Sequence, residues 1–229
     1  MLKGMNCLKA IAIDGPAGAG KSTIARKVAK ELGFIYVDTG ALYRTVALAV
    51  SRQPFEAGET AKVVALLHEI IVELRFVNGE QRVFLNGEDV SDEIRSPEVS
   101  MCASVVSAIP QVRSFLFELQ QDIARKNNVI MDGRDIGTVV LPNADLKIFL
   151  TATAEDRAKR RYDQLLESGT VVDFDELLEE IKQRDYNDSH REISPLIQAE
   201  DAILVDTSGN TLEESVGLLL ELVKRHTGL

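Results

Sequence analysis

The chain has little of what cysteine or histidine chemistry requires. Its 229 residues contain two cysteines and three histidines. Cys7 and Cys102 are far apart and lack metal-ligand spacing, so we expect reduced thiols in a cytoplasmic protein. His68, His190 and His226 form no cluster, and no Ser-His-Asp or Cys-His arrangement is suggested. These absences argue against a disulfide-built fold, and we expect each histidine to be an ordinary surface or core side chain.

Long apolar runs and an excess of basic residues are also absent. No apolar run approaches the roughly 20 residues of a membrane span, and the amino terminus lacks the pattern of a signal peptide. Lysine and arginine number 26 against 36 acidic residues, which gives a formal net charge of −10. We therefore expect neither a membrane nor a nucleic acid as partner. The length suits one large α/β domain or a core with insertions.

A glycine-rich segment near the amino terminus is the strongest positive signal. It follows an apolar run that ends at Asp14 and precedes a helical pattern, Ser22–Leu32. It fits the phosphate-binding loop, in which glycines let backbone N–H groups surround phosphate oxygens at a helix N-terminus. Lys21 would reach the β- and γ-phosphates, and the Ser22 hydroxyl would ligate Mg²⁺. The residues assigned to nucleotide phosphates are Gly15, Pro16, Ala17, Gly18, Ala19, Gly20, Lys21, Ser22 and Thr23.

Strand and helix patterns alternate along most of the chain. The predicted strands are Lys9–Asp14, Phe34–Asp38, Val129–Asp132, Leu146–Thr151 and Ala202–Asp206. The predicted helices are Ser22–Leu32, Gly40–Arg52, Val99–Lys126, Ala154–Glu167, Asp175–Asp188 and Thr211–His226. This alternation predicts a three-layer α/β core, with about five parallel strands covered by helices on both faces.

One segment breaks the alternation. Ile71–Phe76 and Gln81–Leu85 alternate apolar and polar residues around Asn78-Gly79, the strongest short hairpin signal. A third strand is predicted at Asp89–Val90, so residues 60 to 96 are expected to form a small antiparallel element. It is either a surface decoration or part of an arm that grips a substrate.

Arginines recur after predicted strand ends and along helix faces. Two of the sets have helical spacing, which places each set on one face. They could be solvated ion pairs with Asp156, Asp163, Glu180 or Asp185, or they could bind phosphates through the planar guanidinium. The candidates are Arg44, the pair Arg134 and Asp135, the set Arg157, Arg160 and Arg161, and the set Arg184, Asp188 and Arg191.

The lack of an evident general base fits phosphoryl transfer to a phosphate. A phosphomonoester is mostly dianionic near pH 7, because its second pKa is about 6, so no proton must be removed. Holding two polyanions in line instead demands cations. A GTPase switch would need an Asn-Lys-x-Asp string, which does not occur. Asp132 is either a carboxylate on the Mg²⁺ side or simply a strand end.

Five strings carry a resemblance to bacterial cytidylate kinases along nearly the whole chain. They are IDGPAGAGKST (Ile13–Thr23), DTGALYR (Asp38–Arg44), GEDVSDEIRSPEVS (Gly87–Ser100), MDGRDIGTVVLPNADLKIFL (Met131–Leu150) and IKQRDYNDSHREISPL (Ile181–Leu196). The resemblance implies that ATP and CMP, or dCMP, give ADP and CDP, or dCDP, with Mg²⁺. A kinase of the same fold for UMP, AMP or a small alcohol, and a nucleotide-dependent switch, remain alternatives.

The resemblance also implies an organisation and a set of roles. A monomeric single domain is expected, with a core (1–50 and 126–229), a CMP-binding arm (about 50–125) and a lid (about 153–170). Thr39 and Ser22 stand where family members carry other small residues, which leaves the assignment intact. The implied acceptor-site residues are Thr39, Arg44 and Arg134 near the phosphate, Ser104, Arg113 and Asp135 at the cytosine, Arg184 and Asp188 at the ribose, and Arg191 at the phosphates. Asp132 is also assigned to the substrate site. The implied lid cations at the transferring phosphate are Arg157, Arg160 and Arg161.

Overall fold

A computed structural model describes residues 8–77, 80–167 and 169–228. Cys7 and the predicted turn Asn78-Gly79 lie outside the described residues. The elements in chain order are β1 (Ala10–Asp14), α1 (Lys21–Leu32), β2 (Ile35–Asp38), α2 (Thr39–Ser51), α3 (Thr60–Leu66), β3 (Val72–Val77), β4 (Glu80–Leu85), β5 (Glu88–Asp89), α4 (Pro97–Val106), α5 (Pro110–Lys126), β6 (Val129–Gly133), β7 (Leu146–Thr151), α6 (Ala154–Glu167), α7 (Phe174–His190), β8 (Ile203–Asp206) and α8 (Leu212–Thr227).

A five-stranded sheet of order β2-β6-β1-β7-β8 confirms the predicted α/β fold. β1 is central and pairs in parallel with β6 and β7, so that Ile13 stands beside Asp132 and Ile148. Parallel strands covered on both faces need continuous apolar sequence, and β1 supplies it. Each predicted strand ends within one residue of the observed end. The loops after β1 and β6 therefore start side by side, at the edge where α/β proteins bind ligands.

The chain separates into two compact units. We call the residues up to Tyr36 and those from Asn127 onward the core unit, and Val37–Lys126 the second unit. Each unit has its own buried apolar cluster, the first around Ile11, Ile13 and Leu219 and the second around Leu42, Ile94 and Leu116. The predicted arm, residues 50–125, lies within the second unit, and its binding role stays a prediction.

The small sheet β3-β4-β5 of the second unit confirms the predicted hairpin. β3 and β4 pair antiparallel, with Phe76 opposite Gln81. The third strand, β5, begins one residue before the predicted Asp89–Val90. The prediction that sheet structure starts at residue 60 is wrong, because Thr60–Leu66 forms α3 and buries Val63 and Leu66 in the apolar cluster.

The predicted helix Val99–Lys126 is also wrong as a single element. It consists of α4 and α5, which meet at an angle of 101°. Pro110 explains the break, because proline fits the first turn of a helix but disfavours helical backbone in the residue before it. Within the described residues no single helix is long and apolar enough to cross a membrane, and this bent pair passes that test only by length and composition.

The core of the central sheet predicts a stability difference. Ile13 in β1 is 0% exposed, so Ile13→Ala should lower the free energy of unfolding by about 2–5 kcal/mol, through lost apolar burial and a residual cavity. Leu204 in β8 is 56% exposed, and Leu204→Ala should cost less than about 1 kcal/mol. Urea unfolding followed by circular dichroism measures both. Equal losses would contradict the assignment of β1 as the buried centre.

Candidate active site

The loop between β1 and α1 has a backbone path that requires glycine. Gly15 has φ +148°, and a Cβ there would lie 1.9 Å from the carbonyl oxygen of Leu150 in β7. Gly18 and Gly20 also have positive φ, of +76° and +88°. α1 begins at Lys21, so its unpaired first-turn N–H groups and its dipole add to those of the loop. The predicted phosphate-binding segment thus has the local structure of an anion site.

Lys21 is a buried cation at the end of this loop. Its side chain donates to the Pro16 carbonyl oxygen at 2.7 Å. Burial, together with the nearby charge of Arg134, lowers the pKa of Lys21 to about 7. The carboxylates that oppose this shift belong to Asp132, Asp14 and Asp188. A bound polyphosphate would add the negative charge that the buried ammonium group needs.

Asp14 connects the start of this loop to the segment after β6. Its two carboxylate oxygens accept from the backbone N–H groups of Ile136 and Gly137, both at 2.7 Å. Burial raises the pKa of Asp14 to about 6, despite these two hydrogen bonds. Asp14 thereby holds the helical turn 136–140, which follows the buried Asp135 directly. Sequence analysis assigned Asp14 no role, although its place at a strand end before Gly15 is a usable signal.

Ser22 and Asp132 form a pair that fits a magnesium ion. The Ser22 hydroxyl donates to Asp132 Oδ2 at 2.7 Å, and Tyr36 donates its hydroxyl to Asp132 Oδ1 at 3.1 Å. Hydroxyl and carboxylate oxygens suit Mg²⁺, which binds one or two protein groups together with substrate phosphates and water. In the described part of the chain no cluster of three or more His, Cys, Asp or Glu stands out as a separate metal site. Asp132 lies one residue before the end of β6 and contacts the predicted metal ligand, and its own contact with Mg²⁺ stays a prediction.

Arg134 and Asp188 form the second charged pair of the core unit. Arg134 Nε donates to Asp188 Oδ2 at 2.8 Å. Burial alone would raise the pKa of Asp188, but Arg134, with smaller effects of Arg184 and Arg191, holds it below its ordinary value. Arg184, Asp188 and Arg191, in the C-terminal part of α7 and just after it, thus share one electrostatic environment with Arg134, the residue after β6.

Arg157 is buried against the phosphate loop. Its guanidinium donates to the carbonyl oxygen of Ala17 at 3.0 Å and forms a two-point pair with Asp185. Asp185 was one of the partners that the sequence offered. In this structure Arg157 stabilises the loop backbone, while its role at a transferring phosphate stays a prediction.

The other two arginines of α6 have different surroundings. Arg160 donates to the Thr207 carbonyl oxygen at 2.7 Å and to the Ala19 carbonyl oxygen at 3.4 Å. Arg161 is exposed to solvent. Arg157, Arg160 and Arg161 have the predicted spacing within α6, and the role of this set at a transferring phosphate stays a prediction.

Arg44 is held by an aspartate within the second unit. Asp38 Oδ1 caps α2 by accepting from Ala41 N at 2.9 Å, and its Oδ2 accepts from Arg44 Nη2 at 2.9 Å. Arg44 Nε is buried and has no hydrogen-bond partner within the described residues. A buried donor of this kind calls for an acceptor, which a phosphate oxygen can supply.

The remaining predicted residues of the second unit lie on α2, α4 and α5. Thr39 is buried in the first turn of α2, and Ser104 is half-buried on α4. Arg113 donates to the Ser107 carbonyl oxygen at 3.2 Å and lies 5.5 Å from the ring centre of Tyr43. The contact of Thr39 with the acceptor phosphate and the contacts of Ser104 and Arg113 with cytosine stay predictions.

The buried lysine predicts how nucleotide binding responds to pH. Between pH 7 and the ordinary lysine pKa of 10.5, bound ATP should restore the proton of Lys21, so binding takes up a proton. The affinity for MgATP should therefore fall as pH rises, by up to about tenfold per pH unit. Calorimetry at pH 7 to 9 in buffers of different ionisation enthalpy measures affinity and proton uptake together.

Lys21→Arg is the control for this titration, because arginine stays charged throughout the range. The affinity of this variant for MgATP should stay constant between pH 7 and pH 9, and binding should take up no proton at this side chain. An unchanged affinity in the unsubstituted protein, without proton uptake at pH 8, would contradict the lowered pKa.

Comparison with known proteins agrees with this geometry. A cytidylate kinase family model matches residues 11–225. A cytidylate kinase from Caldicellulosiruptor saccharolyticus is 54% identical over 218 residues, covering 95% of this chain and 96% of the relative. A cytidylate kinase from Caldanaerobacter subterraneus is 52% identical over 223 residues, covering 97% of this chain and 98% of the relative.

A solved structure, that of an uncharacterized protein from Eubacterium ventriosum, shares the fold. It has a TM-score of 0.54 at 14% identity and covers 96% of this chain and 99% of that chain. The range matched by the family model, residues 11–225, spans both units and contains the phosphate loop, Arg44, Arg134 and Asp188. The chain belongs to the cytidylate kinase family.

Proposed function

We propose that this protein transfers the γ-phosphoryl group of ATP to CMP and dCMP, giving ADP with CDP or dCDP. The observation that carries the proposal is the match of residues 11–225 to the cytidylate kinase family. The charge arrangement of the core unit supports it, because a phosphate loop with Lys21 stands in one electrostatic environment with Arg134 and Asp188. Such a set of cations suits a reaction between two polyanions.

The donor half of the site uses the loop 15–23. Its backbone N–H groups and the α1 N-terminus bind the phosphates of ATP, and Lys21 binds the transferring end. Ser22 and Asp132 would hold Mg²⁺, which neutralises phosphate charge when bound. Arg157 and Arg160 contact carbonyl groups of the loop, and the set Arg157, Arg160 and Arg161 supplies the lid cations for the transferring phosphate.

The acceptor half needs cations for the CMP phosphate and a reader for the base. Thr39, Arg44 and Arg134 bind the acceptor phosphate, which attacks without losing a proton because it is already mostly dianionic. Arg184 and Asp188 bind the ribose hydroxyls, and Arg191 binds phosphate oxygens. The residues that read the base are Ser104, Arg113 and Asp135.

The hydrogen-bonding groups of cytosine explain why Arg113 and Asp135 are proposed to read the base. Its amino group donates, and its N3 and O2 atoms accept, so a carboxylate and a guanidinium match it. Uracil has a carbonyl group where cytosine has the amino group and would face the Asp135 carboxylate unfavourably. We also propose a cytoplasmic monomer without nucleic-acid or membrane partners, which rests on the sequence alone.

A coupled assay of ADP release tests the proposed reaction. CMP and dCMP should be phosphorylated faster than UMP, AMP and GMP, and Lys21→Ala should abolish transfer while the protein stays folded. Absence of turnover with millimolar CMP or dCMP would contradict the proposed reaction. Preferred turnover of another nucleotide would indicate a kinase for that acceptor, and tight ATP binding without turnover would indicate a switch.

Asp135→Ala tests the reading of the base. Loss of a charged hydrogen-bond acceptor should raise KM for CMP by roughly tenfold to a hundredfold and leave KM for ATP within about twofold. Glu213→Ala is the control, since this carboxylate on α8 has a side chain that is 79% exposed. Equal losses for CMP and ATP would show that Asp135 does not read the base.

A further inference from the structure

The small sheet of the second unit touches the end of β2 through one side chain. Gln81 on β4 accepts a hydrogen bond from Asp38 N to its Oε1 at 2.7 Å. Its Nε2 donates to the Asp38 carbonyl oxygen at 3.2 Å. One carboxamide thus satisfies both backbone groups of a residue 43 positions away in the chain. Only a side chain with both a donor and an acceptor can do this.

Asp38 is the residue that holds Arg44. Its carboxylate divides between the N-cap of α2, through Ala41 N, and Arg44 Nη2. The space is confined, because a Cβ on Gly40 would lie 3.1 Å from both Arg44 Nη1 and Asp38 Oδ1. A rotation of the Asp38 backbone would therefore move the carboxylate and the guanidinium together.

β4 is itself firmly placed. Val83 and Leu85 are buried in the apolar cluster of the second unit. Val83 N donates to Ser91 Oγ at 2.9 Å, which fixes β4 to the segment after β5. Gln81 is half-buried at the other end of the same strand, where it pairs across with Phe76. The position of its carboxamide is thus set by the sheet and not by Asp38 alone.

We propose that Gln81 is a positioning residue for the acceptor phosphate site: it fixes the Asp38 backbone, and Asp38 in turn orients the Arg44 guanidinium. This inference rests on the proposed function of Arg44. It gives the small sheet a task beyond surface decoration, because the sheet provides the rigid base from which Gln81 reaches the end of β2. We expect loss of this contact to weaken the binding of CMP and to leave the binding of ATP unchanged.

A double-mutant cycle between Gln81 and Arg44 tests this proposal. Gln81→Ala should raise KM for CMP roughly three- to tenfold, the effect of one or two lost hydrogen bonds, with KM for ATP unchanged. In the Arg44→Ala background the same substitution should have no further effect on CMP, because the group that it orients is gone. Glu80→Gln, an exposed neighbour on β4, is the control and should match the unsubstituted protein.

Gln81→Glu separates positioning from folding. Glutamate still accepts from Asp38 N but cannot donate to the Asp38 carbonyl oxygen, and it adds charge beside the Asp38 carboxylate, so the CMP defect should be at least as large. Hydrogen exchange should show faster exchange of the Asp38 amide in Gln81→Ala while melting temperature changes by only a few degrees. The exchange rate of the Asp38 amide can be measured in any variant that folds.

The outcomes distinguish failure of the positioning role of Gln81 from failure of the proposed function. If Arg44→Ala raises KM for CMP and Gln81→Ala does not, or if the two effects add fully, the positioning role is wrong and the proposed function stands. If Arg44→Ala leaves CMP kinetics unchanged, the role of Arg44 and the positioning role both fall. Absence of CMP turnover in the unsubstituted protein would overturn the proposed function itself.

Discussion

The buried positive charge of Lys21 is the constraint on which the site depends. An ammonium group that is 6% exposed loses hydration, and Arg134 repels it further, so the pKa falls to about 7. Asp14, Asp132 and Asp188 offset part of that cost without removing it. A bound polyphosphate would supply the remaining counter-charge. The parallel sheet makes this possible, because β1 and β6 end side by side and bring Asp14 and Asp132 to the same edge.

Aspartates hold arginines of both units in ion pairs. Asp188 holds Arg134 and Asp185 holds Arg157 in the core unit, and Asp38 holds Arg44 in the second unit. Such partly buried pairs contribute little to net stability, since desolvation offsets their attraction. Their effect is to fix guanidinium groups in place, so that less conformational entropy is lost when a phosphate binds. Pre-organised cations are what phosphoryl transfer between two polyanions requires.

Much of the fold follows from local sequence patterns. Strand ends at Asp14 and Asp38 and the glycine-rich loop are readable because apolar runs, glycines and helix starts lie within a few residues of one another. The break at Pro110 is marked in the sequence only by the proline, because the residues on both sides of it form helices. The Gln81–Asp38 contact was not readable, because it joins residues 43 positions apart and depends on the final register of β4. The loop carbonyl partners of Arg157 and Arg160 show the same limit, since helical spacing gives a face but not what that face packs against.

The most direct test of this account is the pKa of Lys21 in the free protein. Titration of the Cε and Nζ resonances of isotopically labelled lysines by NMR measures it, and Lys21→Arg assigns the signal. The account predicts a midpoint near pH 7 for Lys21, while exposed lysines titrate near their ordinary value of 10.5. A midpoint near 10.5 for Lys21 as well would contradict it, because the buried charge would then be fully satisfied without a phosphate ligand.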